Sequence, residues 1–175
     1  MTDDLRYPRG KYLPQLFSHK QKEEWLLDIK FLPSELEVSV QNLDAYQLET
    51  PYREGGWTVQ QLVHHVADSH INAYVRFKLG LTEEDPTIKP YEQDAWIELN
   101  DVKSLPVNIS VTLLHALHQR WYTMIEPLGE EQWERTVFHP EHKKLISLWE
   151  LLGMYAWHGK HHVAHIISLR ERKGW

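Results

Sequence analysis

The chain reads as an all-α protein, a four-helix bundle with a long connection between its second and third helices. Three observations predict this. Four separated segments carry apolar residues three or four apart, the repeat that turns one face of a helix toward a core. No region alternates cleanly between apolar and polar in the manner of a half-buried strand. The length of 175 residues, with 42% hydrophobic and 25% charged content, suits one domain, residues 1–175, with a real core.

The first segment runs from about Ser18 to Leu43, with Trp25, Ile29, Leu32, Leu36, Val40 and Leu43 on one face. Pro33 lies inside it without the N–H an interior helical residue donates, so a kink or a division is expected there. The second opens after Gly55-Gly56-Trp57 at Thr58-Val59-Gln60-Gln61, which has the form of a capping box. It continues to about Leu81 through Leu62, Val66, Ala73 and Phe77. From Thr82 to about Leu105 the chain carries Pro86, Pro90 and many acids, with little periodicity. Connections of that length are usually functional or disordered.

The third helix spans roughly Val107 to Leu128, with Val111, Leu114, Leu117, Trp121 and Ile125 along one face. Glu134 to Leu145 is expected to be a short extended piece or an irregular loop. The fourth helix starts at a second capping-box pattern, Ser147-Leu148-Trp149-Glu150, and runs to about Arg172. Gly174 lies just beyond, where a helix stop belongs. The long connection frees the second and third helices from antiparallel pairing, so a nonstandard topology is open to this bundle.

Composition excludes several functions. A formal charge of −6 argues against a nucleic-acid surface, which needs a basic face. No run of roughly eighteen apolar residues is present to span a membrane. The acidic, polar start from Met1 to Pro8 does not resemble a signal peptide, so a cytoplasmic location is expected. The absence of cysteine removes disulfides, thiol nucleophiles and thiolate metal sites together. Any metal must therefore rest on His, Asp or Glu, which favours ions such as Zn²⁺, Ni²⁺, Mn²⁺ or Fe²⁺.

Twelve histidines are many for this length, and four of them fall between Trp157 and His165. At about 3.6 residues per turn, His158 and His162 stack one above the other, and so do His161 and His165. Either pair has the spacing with which one helix offers two nitrogens to one ion. The apolar line of the fourth helix runs through Leu148, Leu152, Val163 and Ile166. His162 and His158 lie nearest it, which makes them the preferred pair. A second group, His64-His65 with His70, sits on the second helix, and periodicity there nominates His70 as the third ligand. A buried, hydrogen-bonded imidazole is an equally good account of His70. The motif H-E-x-x-H is absent, so there is no zincin arrangement.

These residues resemble the DinB/YfiT-like superfamily of metal-binding four-helix bundles, and most closely its YfiT branch. The resemblance rests on Gly55-Gly56-Trp57-Thr58-Val59, on His65-Val66-Ala67-Asp68-Ser69-His70, and on Arg76-Phe77-Lys78-Leu79 through Thr87-Ile88-Lys89-Pro90-Tyr91. It is completed by Tyr155-Ala156-Trp157-His158-Gly159-Lys160-His161-His162-Val163-Ala164-His165-Ile166. It implies a metal-dependent hydrolase, related to bacillithiol transferases, working as a cytoplasmic homodimer with Zn²⁺ or Ni²⁺. It also implies three histidine ligands, which fall on His65, His158 and His162. The last two agree with the helical wheel; the first replaces His70.

Three neutral imidazoles leave a divalent cation at least one open position, the form catalytic rather than structural zinc takes. Such a cation activates water for hydrolysis or holds a substrate thiolate. Asp68 and Glu150 are candidates to accept the ligands' second N–H, the usual partner of a metal-bound histidine. No general acid or base is singled out; His161, His70 and Tyr155 are the candidate catalytic groups. Asn72, Tyr74 and Arg76 belong to the resembling segment. Lys89, Tyr91 and Trp96 on the connection either line the pocket or form a dimer contact. The expected partner is a small-molecule substrate, with a low-molecular-weight thiol among the options. The rival class is a helical bundle that binds metal or ligand without chemistry.

Overall fold

The computed structural model describes residues 5–175; Met1 to Asp4, the start of the acidic N-terminal stretch, lie outside them. Four long helices dominate: α1 (His19–Val40), α3 (Val59–Thr82), α6 (Val107–Ile125) and α8 (Leu148–Lys173). Short helices α2 (Ala45–Leu48), α4 (Gln93–Trp96), α5 (Asn100–Ser104) and α7 (Glu130–Trp133) punctuate the connections. A hairpin of β1 (Thr136–His139) and β2 (Lys144–Ser147) precedes α8, with Val137 paired to Ile146.

Helix ends follow local chemistry. Ser18, Thr58 and Ser147 each accept a hydrogen bond from a backbone N–H three residues on, and Gln61 completes the box at Thr58. Gly174 ends α8 in the left-handed conformation, with φ of 70°.

The bundle buries two apolar clusters, one toward each end. Trp25, Phe77, Trp121 and Trp149 belong to the first. Leu36, Leu62, Leu114 and Ile166 belong to the second. The order in which each helix enters these clusters gives its direction. α1 and α8 run from the first to the second, and α3 and α6 run the opposite way. α1 packs on α6 and α8, and α3 packs on the same two, so α1 lies diagonal to α3. Consecutive α3 and α6 are therefore parallel neighbours. That explains the long connection, because the chain must return the length of the bundle before α6 can start.

The connection is docked rather than loose. Ile88, Ile97 and Val102 are buried, and Thr87 bridges Phe138 in parallel, adding backbone bonds to the edge of the hairpin.

One expectation needs correcting, and another resolves to its extended alternative. Pro33 does not divide α1, which runs unbroken from His19 to Val40. The carbonyl its missing N–H leaves over, that of Ile29, accepts from His118 Nδ1 on α6 at 2.5 Å. Residues 136–147 form a true hairpin, whose four-residue strands are too short to show alternation.

Candidate metal centre

Between the two apolar clusters lies a layer of histidines contributed by α3, α6 and α8. His65, His70, His118 and His162 are all buried. His158 Nε2 lies 3.2 Å from His65 Nε2 and 3.2 Å from His162 Nε2. One nitrogen from each of these three rings falls within 4.8 Å of the other two. Zn–N bonds of about 2.0–2.1 Å in a tetrahedral site set ligand nitrogens roughly 3.3 Å apart, so the donor set fits a small divalent cation.

Burial keeps these rings neutral, as ligation requires. Desolvation lowers the His65 pKa to about 4. It also holds His158 and His162 well below the ordinary imidazole value, with the neighbouring histidines pushing the same way.

The loop before α3 positions the first ring. Gly55 adopts a φ of 63°, and a Cβ on Gly56 would come within 2.8 Å of Tyr52 and Arg53. This tight turn, closed by Tyr52 N–H donating to the Trp57 carbonyl at 3.0 Å, sets the Trp57 ring 4.6 Å from that of His65. On α8, Gly159 lets α1 come close: a Cβ there would sit 2.7 Å from Leu32 Cδ1. Lys160 pairs with Asp28 across the same interface.

The remaining candidates are spread around the cluster. His64 has both ring nitrogens engaged, to Ser110 Oγ at 2.7 Å and to the Leu105 carbonyl at 3.1 Å. His70 lies behind the cluster, its Nε2 3.4 Å from His158 Nδ1, and does not line the pocket. Tyr155 is buried, and its hydroxyl accepts from Arg76 Nη1 at 2.6 Å. The Arg76 Nη2 donates to the Lys89 carbonyl, so this side chain ties α3 to α8 and to the connection.

His161 stacks on Trp157 with centroids 4.4 Å apart. His165 stacks on Tyr52 and donates from Nε2 to the Arg6 carbonyl at 3.2 Å. The alternative i, i+4 pair thus faces aromatic rings and a carbonyl rather than the α3 imidazole. Tyr91 and Trp96 stack on each other, 4.5 Å apart.

Neither expected carboxylate is the partner of His158 Nδ1, which meets His70 instead. Glu150 is paired with Lys144 at 2.8 Å. Asp68 is half-buried, and desolvation with the nearby Asp101 raises its pKa to about 6.

A pocket of about 440 Å³ opens onto the cluster, lined by all three ligand candidates together with His161 and His165. Arg6, Arg53 and Trp57 form part of its wall, and Gln93 and Asp94 of α4 complete it. Asp94 is the one carboxylate among the described lining residues. Sequence reasoning missed Arg6, Arg53 and Asp94, because nothing local marks residues brought together by loops. It also missed His118, although spacing places it on the buried stripe between Leu114 and Trp121.

The sequence profile of the DinB superfamily matches residues 29–166. The chain belongs to that superfamily. It is 47% identical over 173 residues to "Putative metal-dependent hydrolase YfiT" of Bacillus subtilis, covering 98% of this chain and 97% of that one. It is 49% identical over 174 residues to a Bacillus cereus protein of the same description, covering 99% of each. The solved YfiT structure, described as an unusual four-helix bundle topology, superposes with a TM-score of 0.95 at 47% identity, covering 98% and 99%. A mycothiol-dependent maleylpyruvate isomerase shares the fold at a TM-score of 0.64 and 20% identity, over 82% of this chain and 60% of that one. Among the described residues no helix is long and apolar enough to cross a membrane.

Proposed function

We propose that this protein is a metal-dependent hydrolase of a small, anionic substrate, with a divalent cation held by His65, His158 and His162. Zn²⁺ is the first choice and Ni²⁺ the second, since three neutral imidazoles suit both. The observation that carries this reading is the convergence of three imidazole nitrogens within 4.8 Å on the wall of an open pocket. Relatives described as metal-dependent hydrolases, aligned over nearly the whole chain, support it.

A cation held by His65, His158 and His162 would supply Lewis acidity, enough to activate water near neutral pH. The chain's own groups do the rest. Arg53 is fixed by donating to Tyr52 Oη at 3.0 Å and to the Glu54 carbonyl at 2.9 Å, which aims positive charge into the pocket. With Arg6 it orients an anionic substrate. Asp94 is the candidate to accept a proton at the mouth, and His161, held neutral by burial, is the alternative. His70 and Tyr155 serve as support behind the site rather than as proton carriers at it.

A thiol transferase is the second reading. It is favoured by the scarcity of carboxylates in the pocket, because holding a thiolate needs no general base. The two are separated by assaying hydrolysis with and without added low-molecular-weight thiol. Hydrolysis without thiol, rising through a pKa near that of coordinated water, supports the first; activity only with thiol supports the second. Metal content of the purified protein and of His65→Ala, His158→Ala and His162→Ala tests the ligand set. A full equivalent of metal in all three variants overturns it. We expect a cytoplasmic homodimer, a state consistent with exposed Phe31, Val38 and Ile167 on neighbouring α1 and α8.

A further inference from the structure

The buried histidines behind the metal centre form a directed chain that crosses all four long helices. It begins at the Ile29 carbonyl of α1, which has no helical donor because residue 33 is proline. A carbonyl only accepts, so His118 Nδ1, 2.5 Å away, must carry a proton and donate it. A neutral His118 then presents a bare Nε2, and His70 Nδ1 lies 2.9 Å from it. His70 must donate there, which leaves its own Nε2 bare. His158 Nδ1 lies 3.4 Å from that nitrogen and donates in turn. The end of the sequence is His158 Nε2, stripped of its proton and facing His65 and His162 at 3.2 Å each.

From this we infer that His118 and His70 are positioning residues that lock His158 into the tautomer able to ligate a cation. Pro33 acts at the far end by freeing the carbonyl that sets the direction. Hydrogen-bonded partners of a ligand ring normally include a carboxylate or carbonyl in direct contact. Here the carbonyl acts at a distance through two imidazoles. Reversing any one proton would reverse all of them and place an N–H where the cation belongs. Burial supports a fixed arrangement: His70 and His118 are 0% and 1% exposed, with Trp121 packed edge-on against both rings.

The inference rests on the metal-centre reading, and the test separates the two. Histidine ¹⁵N spectra of the metal-free protein should show His118, His70 and His158 each protonated at Nδ1. Zinc affinity, measured by competition with a chromophoric chelator, should fall 10–100-fold in His118→Phe and in His70→Phe. Because His118 acts only through His70, the double variant should bind no more weakly than His70→Phe alone. A merely structural role for His118 would instead give additive losses.

Wild-type protein that takes up no zinc overturns the metal centre and the relay together. Zinc uptake by the wild type with an unchanged constant in a folded His118→Phe overturns the relay alone. Should that variant fail to fold, the wild-type spectra decide. Nδ1 protonation on all three rings supports the relay, and Nε2 protonation or tautomer averaging at His158 overturns it.

Discussion

Helix α8 carries two histidine pairs with the same i, i+4 spacing, and the bundle treats them differently. His158 and His162 face the α3 imidazole of His65, so three nitrogens meet. His161 and His165, one face further round, meet Trp157, Tyr52 and the Arg6 carbonyl. Spacing along one helix therefore supplies only half of a site. The third imidazole, delivered by a helix running the opposite way, separates the candidate metal centre from an aromatic pocket wall. Adjacent residues on α3 teach the same lesson. His64 has both nitrogens consumed by Ser110 and Leu105, whereas His65 keeps Nε2 for the cluster.

The largest effect should come from breaking the first pair. His158→Ala or His162→Ala should abolish stoichiometric metal after dialysis, a loss well beyond the 10–100-fold expected for an outer partner. Elemental analysis reads this directly. The same change at His161 or His165 should leave the metal equivalent intact.

Acid should act next. Buried His118 has its pKa lowered to about 4 by desolvation, below the ordinary 6.5 of an unfolded chain. Its contribution to stability is fully present above pH 6.5 and is lost as pH falls from there toward 4, since only the unfolded chain takes up the proton. For this residue alone the loss is about 3 kcal/mol. His65 adds to it in the same window. Urea midpoints of metal-free protein at about pH 7.5, above the window, and at about pH 4, its lower end, should therefore differ strongly.

A smaller change sharpens the packing side of the comparison. Gly159→Ala places a methyl against buried Leu32 at the α1–α8 contact and should cost about 1–3 kcal/mol, visible as a lower melting temperature. Because residue 159 lies between the two ligand positions, zinc should also bind more weakly. The smallest effect should come from Asp68→Asn. With the carboxyl pKa raised from 3.8 to about 6, stability is lost as pH rises between those two values, so at about pH 7.5 the variant should be modestly more stable. At pH 4, where the wild-type carboxyl is largely protonated, the difference should shrink.

Much of this was legible in the sequence wherever the physics is local. Capping at Thr58 and Ser147 and the glycine stop at Gly174 set helix ends within a residue or two of expectation. What escaped depends on tertiary partners. Pro33 reads as a kink or a division, yet α1 continues from His19 to Val40 and a histidine from another helix takes the spare carbonyl. Residues 136–147 carry no periodic signal because each strand has four residues. On α3 an apolar wheel nominates His70, which is indeed the more deeply buried ring, while the nitrogens that converge include His65. Burial and convergence are different properties, and only the second makes a ligand. The pocket's arginines and Asp94 come from loops whose course no periodicity reveals.

The central claim is that three imidazoles converge on one cation and leave a position for a reacting partner. Anomalous diffraction from zinc-soaked crystals of the wild-type protein tests it most directly. The account predicts one strong peak between the Nε2 atoms of His158 and His162 and a nitrogen of His65, with water or another non-protein donor completing the sphere. A peak between His161 and His165, or a fourth protein side chain closing the sphere, would contradict it.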